Sequence, residues 1–152
     1  MTASGLLATR RSWSSLAVPD PADLVGDLAA SFLPPLRRVA PAGLGLVGLP
    51  RWWGKRFVLA GDGLDGVNLV RPRDGGVLAE VLPMTARVAP SLADGRPALV
   101  VSYAADAPRP WRWVRDELRT RPDGTIVGLT FVDLPVLRRL GGTPFLLSRG
   151  PG

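Results

Sequence analysis

The segment WRWVRDELR at 111–119 is the densest mixture of aromatic, basic and acidic side chains in the chain, and it sets the terms of any chemistry. The 152 residues include no His and no Cys. That excludes histidine-ligated zinc, axial histidine on haem, disulfides, thiolate nucleophiles and the Ser/His and Cys/His catalytic pairs. What remains is carboxylates, Ser/Thr, Arg, Tyr103 and Lys55, the one lysine. Within those limits Glu117 or Asp116 could move a proton while Tyr103 or Arg115 polarises a carbonyl. Isomerisation, dehydration or cyclisation would suit that arrangement, provided the surroundings raise the carboxyl pKa.

Turn chemistry assigns faces to these residues. In RPDGT at 121–125, Pro122 and Asp123 suit a type I turn and Gly124 the left-handed position after it, so Arg121 should oppose Thr125. Arg115 then opposes Phe131 and Glu117 opposes Leu129. The same turn in LADGR at 92–96 sets Leu92 opposite Arg96, Arg87 opposite Val101 and Thr85 opposite Tyr103. The odd-numbered face so defined carries Leu99, Val101, Tyr103, Trp111, Trp113, Val127, Leu129 and Phe131, with Arg87, Arg115 and Glu117 among them, and is the expected interior. The register across ADAPRP, between Tyr103 and Trp111, decides the matter: a slip of one residue inverts every side chain beyond it.

On this reading Arg115 and Glu117, two apart on one strand face, pair with each other, since buried charges must be paired. Arg87 and Tyr103 are left to meet an anionic or hydrogen-bonding group, with Trp113 and Phe131 as apolar wall. Arg87, Tyr103, Trp113, Arg115, Glu117 and Phe131 are therefore the candidate site. An apolar small molecule, with or without an anionic group, is the candidate ligand. The same charges also suit a solvated outer face or a pair closing a barrel end, and the sequence leaves that open.

The elements that must position these residues read as mainly β. A chain of this length forms one domain burying roughly 70% of its unfolded surface. With 18 Gly and 16 Pro between short apolar runs, long helices are hard to place. Strands are expected at 55–60, 67–71, 77–88, 96–104, 111–120, 125–132 and 144–148, with Pro83 bending or bulging the third. About seven or eight short strands imply an antiparallel up-and-down barrel or a strongly curved sheet. PDPADLVGDLAASFLPP at 19–35 has a capping Asp20, Pro21 at the first helical position and an apolar stripe of Leu24, Val25, Leu28, Ala29 and Phe32. It predicts an N-terminal helix covering one end of the barrel. DLPVLRRLGG at 133–142 predicts a second, shorter helix. Residues 1–18 read as a flexible tail and 19–149 as the domain.

RWWGKRF at 51–57 interleaves aromatic and basic residues as a single-strand nucleic-acid platform does. Adjacent Trp52 and Trp53 would point to opposite faces of a strand, however, and Arg is scattered along the whole chain despite the net charge of +6. Barrel packing is the expected role, and nucleic acid a secondary alternative. VPDPADLVGDLAASF followed by WWGKRF resembles the opening of the GXWXG family of small bacterial proteins. WVRDELR, GTIVGLTFVDLP and PFLLSR are similar to segments of its lipocalin-like relatives. Gly26, Leu28 and Ala30 stand where that family has Gly, Trp and Gly, so the signature is degraded. The resemblance implies a β-rich, ligand-binding fold with no established reaction, and no catalytic residue.

Other motifs carry less. GDGLDG lacks the ligand count of a calcium loop and reads as a hairpin turn. GLGLVG lacks the strand and helix that a dinucleotide fingerprint requires. No cofactor or metal is expected. TRRSW at 9–13 begins like a twin-arginine export signal, but Ser14, Ser15, Pro19, Asp20 and Asp23 break the apolar run that must follow. No stretch reaches the ~20 apolar residues of a membrane span. The expected location is the cytoplasm.

Overall fold

The computed structural model describes residues 12–32, 51–136 and 143–149. These form eight strands: β1 Gly26–Phe32, β2 Trp52–Ala60, β3 Gly63–Val70, β4 Ala79–Pro90, β5 Pro97–Tyr103, β6 Val114–Thr120, β7 Ile126–Val132 and β8 Thr143–Arg149. Each pairs antiparallel with the next, and β8 returns to β1, so the sheet closes as an up-and-down barrel. Closure leaves no edge strand to cover.

The expected N-terminal helix is replaced by β1. Asp20 does cap, accepting from the Ala22 amide at 3.0 Å with Pro21 beside it, but the result is a 3-10 turn, Pro21–Leu24, that ends before Gly26 turns the chain at φ 104°. Residues 26–32 then satisfy the open backbone edges of both β2 and β8. A helix of a dozen residues is marginal by itself. Here it competes against two ladders of hydrogen bonds, and the strand wins. Leu28, Ala30 and Phe32 alternate onto the inner core as a result.

Two glycines make the closure tight. A β-carbon on Gly54 would lie 1.9 Å from the Leu28 carbonyl oxygen, so β1 and β2 approach only because that side chain is absent. A β-carbon on Gly128 would lie 2.2 Å from the Phe145 ring, which fills the interior space the glycine leaves.

The 121–125 turn forms as expected, with Gly124 at φ 90°, and sets Arg115 opposite Phe131 and Glu117 opposite Leu129. The other expected register slips by one. The turn after β4 is wider, closed by the Ser91 amide on the Arg96 carbonyl, so Arg87 opposes Val100 and Thr85 opposes Ser102. The chain from 111 to 113 forms a 3-10 turn instead of the start of a strand, and β6 meets β5 with Leu99 opposite Leu118 and Val101 opposite Asp116. Odd residues of β5 therefore face inward together with even residues of β4, β6 and β7, which corrects the expected odd-numbered interior. Pro83 lies at an irregularity in the β3–β4 ladder, as expected, and Leu82 has a positive φ of 51°.

The inner core contains Leu28, Phe57, Leu64, Ala86, Leu99, Leu118, Ile126 and Leu147. A second core lies outside the wall, where Trp13 covers Ala98, Val100, Val127, Leu129 and Phe131. Residues 12–18, which the sequence reading places in a loose tail, run along the barrel there, and Ala17 bridges Thr120. The glycine-rich segment before Arg51 and most of the second expected helix lie outside the described residues; its described part, 133–136, is a bend and turn. Among the described residues no helix is long and apolar enough to cross a membrane.

Candidate functional site

A cavity of about 190 Å³ lies at the end of the barrel where β5 ends and β6 begins. Phe32, Trp52, Pro110, Trp111, Val114 and Phe145 form its apolar wall, and Lys55, Asn68, Tyr103, Asp116 and Thr130 its polar floor. Trp52 meets Phe32 at 5.7 Å and Phe145 at 5.8 Å between ring centroids, and Tyr103 meets Trp111 at 5.6 Å.

β2 supplies two of these residues by an irregularity that RWWGKRF encodes. Strand alternation would send Trp52 and Lys55, three apart, to opposite faces. The ladder shifts between Trp52 and Gly54, with Trp52 opposite Val70 and Gly54 opposite Leu69, so Trp53 is an inserted residue. The bulge reverses the alternation, and both Trp52 and Lys55 reach the cavity.

Lys55 is 1% exposed. Its ammonium donates to Asp116 Oδ2 at 3.0 Å, Asn68 Oδ1 at 3.0 Å and Tyr103 Oη at 3.2 Å, with Met84 Sδ at 3.7 Å. Burial is the largest single influence on this amine and opposes its charge, but the Tyr103 and Asp116 oxygens outweigh it and hold the pKa above the ordinary lysine value. Asp116 Oδ1 accepts from the Thr130 hydroxyl at 2.8 Å. Asn68 Oδ1 also accepts from Trp52 Nε1 at 3.1 Å, while its amide nitrogen donates to Tyr103 Oη at 3.1 Å and the Leu82 carbonyl at 3.4 Å.

Tyr103 thus accepts two hydrogen bonds, from Lys55 and from Asn68. A phenol has one hydrogen of its own to give, and no side chain or carbonyl among the described residues receives it from Tyr103 in these hydrogen bonds. Burial pushes the phenol pKa above its ordinary value, so the hydrogen stays on the oxygen. The floor consequently offers one cation, one anion and a polarised hydroxyl with a hydrogen to spare.

Of the six residues singled out in sequence, only Tyr103 lines this cavity. Arg87 is on the outer wall, its guanidinium on the Leu64 and Ala86 carbonyls and 4.0 Å from Asp65. Trp113 is half-buried between the Arg109 and Arg112 guanidinium groups. Phe131 packs under Trp13. Arg115 and Glu117 do pair, at 2.9 Å, but on the outer wall beside the connection that follows β4. There Glu117 is 0% exposed and also accepts from Ser91 Oγ and, at 2.7 Å, the Leu92 amide. Arg119, on the same outward row, grips Asp94 through two nitrogens at 2.7 and 2.9 Å and lies 4.5 Å over the Trp13 ring. Of the charges of WRWVRDELR, Arg119 fastens the N-terminal segment, Arg115 and Glu117 hold the connection at 90–92, and Asp116 alone enters the cavity.

Among the described residues no three His, Cys, Asp or Glu side chains come together as a metal-ligand set. No protein-family model matches the chain. No curated protein matches it in sequence. A crystal structure of a protein from Thermomonospora curvata is similar in fold, with a TM-score of 0.67 at 17% identity over 94% of this chain and 86% of that one.

Proposed function

We propose that the barrel binds a small, uncharged, largely apolar molecule through one oxygen atom, a carbonyl or hydroxyl seated on the Tyr103 hydroxyl. The observation that carries this reading is the spare hydrogen of Tyr103 at the base of an apolar cavity. Size supports a modest ligand. A cavity of about 150 Å³ takes a benzene ring, and 190 Å³ takes a ring with a short substituent. Charge supports a neutral one. Lys55 and Asp116 already neutralise each other at 3.0 Å, and a carboxylate added beside them would be a buried net charge. Arg87, the residue expected to meet an anion, is on the other side of the wall. Kinship with the GXWXG family is part of the proposal, resting on the WWGKRF strand.

Native mass spectrometry of the protein as purified tests it. The expected adduct is a neutral molecule of about ten heavy atoms that Tyr103→Phe retains less well. Copurified fatty-acid anions would contradict the reading and return attention to a cationic site.

A further inference from the structure

Binding through Tyr103 is the premise for a sharper reading of the same floor. We propose that the cavity catalyses proton transfer at the carbon next to a carbonyl, with Asp116 as the base and Tyr103 as the group that holds the oxygen. The placement of Lys55 carries this inference. Its ammonium is 3.0 Å from Asp116 Oδ2 and 3.2 Å from Tyr103 Oη, between the carboxylate and the hydroxyl that a carbonyl compound would have to span.

The step balances without a co-reactant. Asp116 takes a proton from the α-carbon, the C–H electron pair becomes a carbon–carbon π bond, and the carbonyl π pair moves onto oxygen. The negative charge thus leaves Asp116 and arrives on the substrate oxygen against the Tyr103 hydroxyl. Lys55 neighbours both places, so its counter-charge moves from one partner to the other without leaving its position. Floor and substrate together remain net neutral before and after, which is how a water-poor site stabilises a developing enolate. Return of the proton to the same carbon, or to a conjugated one, restores the carboxylate and gives exchange or isomerisation. Thr130, donating to Asp116 Oδ1 at 2.8 Å, fixes the carboxylate and is a positioning residue.

Three other features of the cavity agree with this chemistry. The wall is aromatic and aliphatic, which excludes bulk water from the enolate. Lys55 is held as the ammonium and so serves as a charge rather than as an amine nucleophile. Tyr103 receives hydrogen bonds from a cation and an amide, which strengthens the one it donates.

The test uses phenylacetone and cyclohexanone in deuterated buffer, with loss of α-proton signals followed by NMR and binding followed by tryptophan emission. The expected result is binding together with exchange at least tenfold above buffer, faster at one of the two benzylic hydrogens of phenylacetone than at the other. Tyr103→Phe should lower the rate at least tenfold, and Asp116→Asn should bring it to the buffer level while binding persists. Should Asp116→Asn fail to fold, the paired change Lys55→Met with Asp116→Asn, which removes both charges, takes its place. Binding with exchange no faster than buffer overturns the activity and leaves the binding site standing. Failure of either ketone to bind overturns both. Borohydride added with ketone should leave the mass of the chain unchanged at Lys55, and a reduced adduct there would replace the proton-transfer mechanism with imine chemistry.

Discussion

Lys55, Tyr103 and Asn68 are each the single residue of their type in the chain, and the barrel gathers all three around one ammonium group. That singularity makes Tyr103 its own reporter. Its pKa is raised by burial above the ordinary 10.0, and that of Lys55 is raised above 10.5. In both cases the folded state keeps its proton longer than the unfolded chain. The stability they contribute is therefore fully present below about pH 10 and is lost as pH rises through the unfolded values and on toward the folded ones. Phenolate absorbance should appear only together with loss of the tertiary structure. An ordinary tyrosine titration in a folded protein would place Tyr103 in water and remove the cavity account. Asp116→Asn tests the other half of the cluster. It strands a buried cation and should destabilise by about 3–5 kcal/mol, with Lys55→Met and Asp116→Leu together recovering much of the loss. The sequence displayed Lys55 and Tyr103 as rare residues, but rarity does not show convergence. Lys55, Asn68, Tyr103 and Asp116 come from four different strands, and only the register between those strands brings them together.

At the scale of elements, the hairpin with a well-specified turn was legible and the longer connections were not. RPDGT fixed the β6–β7 register through the left-handed Gly124, and the Arg115–Glu117 pair was legible from their spacing of two along one strand face, though not the side of the wall on which it lies. LADGR looked equally decisive. Closing one residue wider, between Ser91 and Arg96, it turned Arg87 outward. β1 was read as a helix because Leu24, Leu28 and Phe32 fit both periods; what selects the strand is the pair of open edges it closes, a tertiary fact. The bulge at Trp53 was hinted at by Gly54 beside two tryptophans, but its effect on Lys55 was not. Gly54→Ala should accordingly be far worse than its single methyl suggests. The added carbon would collide with the Leu28 carbonyl oxygen, so the β1–β2 ladder must part, with a loss of several kcal/mol seen as a lowered thermal midpoint. An unchanged midpoint would mean that β1 does not close the barrel at that point. Trp13→Ala should cost about 3–5 kcal/mol by emptying the outer core, a result that a free N-terminal tail would not give. Trp13 is remote from the cavity, and Trp13→Ala should not alter its preference among ligands once the protein is folded.

For the whole molecule, the closed barrel divides its polar chemistry into two compartments. Outside the wall Arg119 and Asp94 fasten Trp13 and Ser14 to the sheet, while Arg115 and Glu117 hold the connection at 90–92. Arg119 holds the Asp94 carboxyl well below the usual carboxylate range, so this fastening stabilises the fold fully at neutral pH and is lost progressively as pH falls through the ordinary carboxylate range toward the depressed folded value. Inside, the Lys55–Tyr103–Asp116 floor faces the aromatic wall of the cavity. Tyr103 is proposed to hold a ligand oxygen there, and the decisive comparison is between phenylacetone and its alkene analogue, in which =CH2 replaces =O. Affinities of both for the wild-type protein and for Tyr103→Phe form a cycle in which differences in ligand hydration cancel. Tyr103→Phe should weaken the ketone by about 1–1.5 kcal/mol, the net value of one hydrogen bond, and leave the alkene unchanged. Equal effects on the two ligands, or none on either, would contradict it.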